Sequence, residues 1–188
     1  IIPLGFAVWG DDLWARLEGM FALALHDRET GELRLVRDQL GIKPLFYAEV
    51  DGELIFSSTA QAVMAHPSVS RRVNPEAVRE FLQHRWVRSG RHLVDSIKTL
   101  PPGTYLLKHG SQVRRHVYWD VNANSEARDW SPSQWRDEVG QTLETSVKRH
   151  LRSDVPLGLF LSGGLDSSLI AHFTACHTRE DLTAFTFS

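Results

Sequence analysis

Ser162-Gly163-Gly164-Leu165-Asp166-Ser167-Ser168 carries the residue types of a phosphate cradle. Consecutive glycines let backbone N–H groups approach an anion closely, and serine hydroxyls add donors where a helix dipole already favours negative charge. The flanks suit that chemistry. The apolar run Leu157-Gly158-Leu159-Phe160-Leu161 predicts a strand feeding the loop, and Ser168 to His177 predicts a helix leaving it. Asp166 is the odd member, because a carboxylate beside a phosphate makes electrostatic sense when a divalent cation lies between them. It reads as a Mg²⁺ ligand or as a helix cap. The Gly-x-x-x-x-Gly-Lys-Ser/Thr spacing of a Walker loop is absent, and so is its lysine. A Gly-Gly turn capped by Ser and Asp accounts for each residue type singly, but not for strand, loop and helix in this order.

The elements that must hold this loop belong to a chain of 188 residues, 42% hydrophobic and 23% charged, enough for one good core or two modest ones. A formal charge of −2 offers no electrostatic reason to expect nucleic acid, and no basic run suggests a membrane surface. The single cysteine, Cys176, rules out a disulfide framework and a Cys-rich zinc site, which points to a reducing compartment. No signal-peptide pattern and no bilayer-spanning apolar stretch occur, so a cytoplasmic protein is expected. The abrupt start at Ile1-Ile2 and the end at Phe187-Ser188, inside a predicted strand, read as an excerpt from something longer.

The first two thirds read as β-rich with short helices. Met20 to Leu25 is a continuous apolar run that predicts a strand covered on both faces. Thr30-Gly31 reverses it into Leu33-Arg34-Leu35-Val36, and Asp51-Gly52 predicts a hairpin between Leu45-Phe46-Tyr47 and Leu54-Ile55-Phe56. Helical periodicity follows from Thr59 to His66 and from Pro75 to Trp86, with Asn74 as N-cap and Val78, Phe81, Leu82 and Trp86 on one face. Pro101-Pro102-Gly103 opens a turn, and Tyr105-Leu106-Leu107 with Val113 to Tyr118 predicts a last hairpin. The polar stretch Asn122 to Asp129 reads as a linker, which divides the chain into residues 1–124 and 125–188. Beyond it Ser131, Pro132 and Gln134 predict a capping box, and Trp135, Val139, Leu143, Val147 and Leu151 form one helical stripe. Leu182 to Phe187 then predicts a second parallel strand, so this region reads as the start of a doubly wound α/β domain with the loop at the carboxyl end of its first strand.

The cradle resembles the PP-loop of the ATP pyrophosphatases. Upstream stand Gly19-Met20-Phe21-Ala22-Leu23-Ala24-Leu25-His26-Asp27 and Arg37-Asp38-Gln39-Leu40-Gly41-Ile42-Lys43-Pro44-Leu45-Phe46-Tyr47, then Leu100-Pro101-Pro102-Gly103 and Tyr118-Trp119. In this order, across essentially the whole chain, they resemble the glutamine-dependent asparagine synthetase family. PP-loops also occur in NAD, GMP and argininosuccinate synthetases, but the upstream strings resemble the later part of a class II glutaminase domain.

The resemblance implies an α+β Ntn-hydrolase-type (αββα) portion followed by the start of the PP-loop domain. Residues 1–124 would be the C-terminal part of a class II glutamine amidotransferase domain, and 125–188 the N-terminal part of the synthetase domain. It implies an ATP-dependent carbon–nitrogen ligase that takes glutamine, aspartate and ATP as small-molecule substrates, with Mg²⁺ as cofactor. It implies no nucleic-acid or membrane partner and is compatible with a homodimer. ATP would be held by Leu161, Ser162, Gly163, Gly164, Leu165, Asp166, Ser167, Ser168 and Phe187, with Asp166 on the metal. Met20 matches a tunnel-lining methionine, although buried Met is also ordinary core filler, and Phe187 is equally readable as a core phenylalanine. The family's glutaminase nucleophile, an N-terminal cysteine, would lie upstream of Ile1, so no catalytic residue of that site is assigned and the excerpt alone is expected to be inactive as a glutaminase. Cys176 is no substitute.

Some residues invite plainer readings. Arg37 and Asp38 read as an ion pair shaping the loop to Gly41. His172, Cys176 and His177 lack a further ligand at metal-binding spacing. Where the family has Ser-Glu-x-Lys, this chain has Ser58-Thr59-Ala60-Gln61, which leaves the acceptor open. A β-lactam-synthetase-like enzyme or related amidotransferase, and a non-catalytic nucleotide-binding remnant, are the alternatives.

Overall fold

The computed structural model describes residues 1–88, 90–121, 128–178 and 182–186. The chain divides into two compact units, residues 1–125 and 126–188. The linker expected between them falls largely on 122–127, outside the described residues.

The first unit opens with α1 (Ile2–Trp9), a 3-10 turn (Gly10–Asp12) and α2 (Leu13–Arg16). The strands β1 (Ala22–His26), β2 (Leu33–Arg37), β3 (Phe46–Val50) and β4 (Glu53–Ser57) follow. Next come α3 (Ala60–Met64), α4 (Pro75–His84), β5 (Lys98–Thr99), β6 (Thr104–His109) and β7 (Gln112–Val117). They build two antiparallel sheets, β1-β2-β6-β7 and β4-β3-β5. The Asp51-Gly52 hairpin forms as expected, with both residues at positive φ and Val50 paired with Glu53.

Strand periodicity sorts the cores. Successive side chains point to opposite faces, so Leu35 and Leu106 join Leu45, Tyr47 and Leu100 in a core shared by strands of both sheets, while Val36 and Tyr105 pack with Leu13 and Trp14 of α2. On the far side of the three-stranded sheet, Ala48 and Ile97 pack with Ala60 and Val63 of α3. The layers therefore run helix, four-stranded sheet, three-stranded sheet, helix.

Several expectations change. The run from Met20 is not a strand covered on both faces. The strand starts at Ala22, lies at the sheet edge, and leaves Ala24 and His26 exposed. The α1 helix escapes a periodicity search because it is apolar nearly all round and presents no single face. Asn74 caps α4 as expected by accepting from the Glu76 and Ala77 N–H groups. The helix ends at His84, not Trp86, with Arg85 left-handed at φ 62. Its expected apolar face is largely uncovered: Phe81, Leu82 and Trp86 are exposed, and Ala77 is the buried contact.

The second unit contains α5 (Pro132–His150), β8 (Gly158–Phe160), α6 (Leu165–His177) and β9 (Thr183–Phe185). The capping box is present: Gln134 N–H donates to Ser131 Oγ at 3.3 Å, and Ser131 N–H donates to Gln134 Oε1 at 2.9 Å. The helical stripe is buried only toward its C-terminal end. Val147 is covered, whereas Trp135 and Val139 are exposed. Strands β8 and β9 pair in parallel with Leu159 opposite Ala184, and α6 forms the crossover. No helix among the described residues is long and apolar enough to cross a membrane.

His92 gives the first unit a pH response. Its ring meets Phe46 edge-on at 5.6 Å, its Nδ1 accepts the Val94 N–H at 3.0 Å, and burial pushes its pKa down. The folded state thus binds fewer protons than the unfolded chain, whose histidine titrates near about 6.5. The stability this group contributes is complete above that value and is lost as the pH falls through the lowered folded value. Thermal unfolding followed between about pH 7.5 and 5 should show this acid limb flattened in His92→Asn. An identical limb in the variant would assign the effect to other groups.

Candidate functional site

Residues 161–168 connect β8 to α6. Leu161 N–H donates to Phe185 O at 2.8 Å, which ties the start of the loop to the neighbouring strand. Gly163 follows at φ 77, a left-handed conformation that glycine adopts without penalty, and a side chain there would meet nothing within 4 Å. Gly164 is the N-cap of α6, so the helix begins at Leu165, three residues before the position expected from the sequence. Leu165, Asp166 and Ser167 therefore lie in its first turn. First-turn N–H groups have no partner inside their own helix, and no side chain caps them here.

Ser162, Gly163, Gly164, Leu165, Asp166 and Ser168 are exposed, and Leu161 and Ser167 are half-buried. The capping half of the Asp166 reading falls away, because Asp166 is a residue of the helix's first turn and caps nothing. What remains is an exposed carboxylate beside a glycine-lined helix terminus. This donor set fits a polyphosphate accompanied by a divalent cation: uncapped amides and hydroxyls for the anion, one carboxylate for the metal, and open space above Gly163. Phe187 lies outside the described residues. A cavity of about 350 Å³ in the same unit is distinct from the loop, being lined by apolar residues such as Leu143, Val147, Leu159 and Ile170.

Cys176 Sγ lies 3.9 Å from His172 Nε2, while His177 Nε2 meets Glu144 Oε1 at 2.8 Å. No cluster of three or more His, Cys, Asp or Glu suited to a metal occurs among the described residues.

In the first unit, Met20 is 44% exposed and belongs to no core cluster. The departure at Ser58-Thr59-Ala60-Gln61 sits at the start of α3, where Thr59 is the N-cap and Ala60 is buried. Arg37 and Asp38 do not form the expected ion pair; each binds backbone. Arg37 donates from Nε to Lys43 O at 2.8 Å, from Nη1 to Leu100 O at 2.6 Å and from Nη2 to Gly41 O at 2.6 Å. The Asp38 carboxylate accepts the N–H groups of Leu40, Ile42 and Lys43 at 3.2, 2.9 and 2.9 Å. Cation on carbonyls and anion on amides makes each of these bonds charge-assisted. Tyr118 OH closes the hub on Arg37 O at 2.5 Å, and burial pushes its pKa well up, so it stays protonated as a donor.

A second polar cluster has only a faint signal in the sequence, Arg34 between Leu33 and Leu35 of β2. Asp11 accepts from Trp14 Nε1 at 3.0 Å and from Arg34 Nε at 2.8 Å, and Glu32 pairs with Arg34 at 2.9 Å. Burial, with Asp11 beside it, pushes Tyr105 up to about 12. This cluster fastens the N-terminal helices to the sheet.

Residues 2–119 match the family model described as glutamine amidotransferase domain, and residues 138–188 match that described as asparagine synthase. Asparagine synthetase (glutamine-hydrolyzing) 2 of Bacillus subtilis is 35% identical over 182 residues, covering 89% of this chain and 24% of the relative. Asparagine synthetase B (glutamine-hydrolyzing) of Escherichia coli is 32% identical over 166 residues, covering 88% of this chain and 25% of the relative. A putative asparagine synthetase (glutamine-hydrolyzing) 2 of Methanocaldococcus jannaschii is 30% identical over 165 residues, covering 86% and 32%. The chain spans about a quarter of the length of the curated relatives it matches.

Proposed function

The chain belongs to the glutamine-hydrolysing asparagine synthetase family, and from that premise we propose that it takes part in ATP-dependent amidation of aspartate with nitrogen from glutamine. Residues 1–124 are read as the C-terminal part of the glutaminase domain, their helix–sheet–sheet–helix layering being compatible with an αββα Ntn-hydrolase. Residues 125–188 are read as the N-terminal part of the synthetase domain. The observation that carries the reading is the loop between β8 and α6, an open, glycine-lined turn running into an uncapped helix N-terminus.

In this reading Leu161 to Ser168 form the cradle for the pyrophosphate of ATP. The amides of the first turn of α6 hold phosphoryl oxygens, the loop hydroxyls add donors, and the helix dipole favours the charge that builds on the leaving group. Asp166 would hold Mg²⁺, which when bound neutralises phosphate charge. An aspartate carboxylate oxygen bonds to the α-phosphorus as the bond to pyrophosphate breaks, giving β-aspartyl-AMP. Ammonia then attacks the acyl carbon, loses a proton and expels AMP, leaving asparagine. Phe187 is proposed beside adenine and Met20 along the ammonia path. The protein is proposed to act in the cytoplasm, and a homodimer accords with the family.

The test is aspartate-dependent pyrophosphate release from ATP by the native protein, with asparagine identified by mass. Asp166→Ala should lower the rate by about 100-fold or more and remove most of its Mg²⁺ dependence. Pyrophosphate release without asparagine would favour a relative with a different acceptor. No nucleotide turnover and no nucleotide binding would sink the reading.

A further inference from the structure

We propose that the cavity between α5, β8 and α6 is a binding site for a small, uncharged, mostly apolar molecule that carries one hydrogen-bonding oxygen. The proposal does not depend on the adenylation reading. The cavity holds about 350 Å³, a size found among small-molecule sites. Its lining residues Leu157 and Leu182 precede β8 and β9, which places it toward the amino ends of the two parallel strands, whereas the loop at 161–168 leaves the carboxyl end of β8.

Thr174 supplies the polar group. It lines the cavity, is 4% exposed, and its hydroxyl makes no hydrogen bond among the described residues. A threonine inside a helix commonly donates its O–H to the carbonyl four residues back, here Ile170, or else meets water. That helical bond is not made, so both the donor and the acceptor capacity of the hydroxyl are unspent. Among the described residues the side-chain polar atoms that are sealed off without a partner are Arg34 Nη1 and His116 Nε2. The Thr174 hydroxyl is not one of them, so it opens onto the space that the residue lines. Around it the walls are apolar, formed by Leu143, Val147, Leu159 and Ile170, and no Asp, Glu, Lys or Arg of the described residues lines the cavity. The one ionisable lining residue, His150, is exposed, and its Nδ1 is engaged with Ser146 O at 2.7 Å. A charged ligand would lose its hydration here without gaining a counter-ion, so the site selects a neutral one. A single oxygen on that ligand, as acceptor or as donor, completes the hydroxyl that the protein leaves unpaired.

Calorimetry on the native protein tests the site with 1-octanol as the neutral probe and octanoate, charged at pH 8, as its counterpart of equal length. 1-Octanol should bind saturably at one site, and octanoate at least about tenfold more weakly. Thr174→Val keeps the shape and removes the hydroxyl, so it should weaken 1-octanol about five- to tenfold. It should leave the melting temperature of the unliganded protein unchanged or raised, because no partner within the protein is lost. Leu143→Trp, which fills the cavity, should abolish binding; if that variant fails to fold, Thr174→Val decides alone. No saturable binding of 1-octanol would mean that the native protein fills or closes the cavity, and would overturn the proposal. Equal affinity in Thr174→Val, a lowered melting temperature in that variant, or a preference for octanoate would overturn it as well.

Discussion

Gly164→Val is expected to abolish pyrophosphate and ATP binding while leaving thermal unfolding of the protein nearly unchanged. The two neighbouring glycines differ in what a side chain would do. Gly163 sits at φ 77, so any β-branched residue there strains the backbone and confounds folding with binding. Gly164 sits at φ −78 and ψ 166, an extended conformation open to valine, and its Cβ would lie in ordinary contact with Ser162 Oγ at 3.5 Å. The folded state is therefore unstrained, and the unfolded chain loses freedom, which offsets any small cost. The added methyls would occupy the space through which phosphate reaches the amides of α6. A loss of at least about 100-fold in affinity is expected, equivalent to about 2.7 kcal/mol. Measuring affinity and melting temperature on the same sample checks both halves. Valine that binds pyrophosphate as glycine does would mean that the anion is held elsewhere.

Asp38→Ala carries the largest expected effect on stability. Asp38 is 1% exposed, and its carboxylate satisfies three backbone N–H groups. Alanine removes the acceptor from three part-buried amide bonds at once, beside a guanidinium whose own pKa burial already pushes down. A loss of about 3–5 kcal/mol is expected, lowering the melting temperature by roughly 10 °C or more. Asp38→Asn keeps one acceptor oxygen but turns a donor toward at least one amide, so an intermediate loss is expected. Chemical denaturation of the three proteins checks the order; equal stability for parent and alanine variant would show that the loop from Asp38 to Lys43 holds without the carboxylate.

Much of this architecture is legible in the residues because the signals are local. Asp51-Gly52 dictates its hairpin, Asn74 with Pro75 starts α4, and Ser131 with Gln134 caps α5, each through bonds within a few positions. The loop proposed to hold phosphate is legible for the same reason, since its glycines and serines are contiguous. The start of α6 is less so: Leu165, Asp166 and Ser167 are individually content in a loop or a helix, and the choice depends on where β8 ends and β9 pairs.

What the sequence by itself determined is the order of strands, turns and caps, the glycine-serine cradle, and the likeness to the asparagine synthetase family. Those depend on spacing along the chain. Only the tertiary structure decided that Arg37 and Asp38 both bind the backbone of the turn from Leu40 to Lys43 instead of each other, with Arg37 also reaching Leu100 O. It also decided that Asp11 reaches Arg34 across 23 positions. A charged or hydroxyl side chain takes whichever partners the fold brings within about 3 Å, and sequence proximity does not rank those partners.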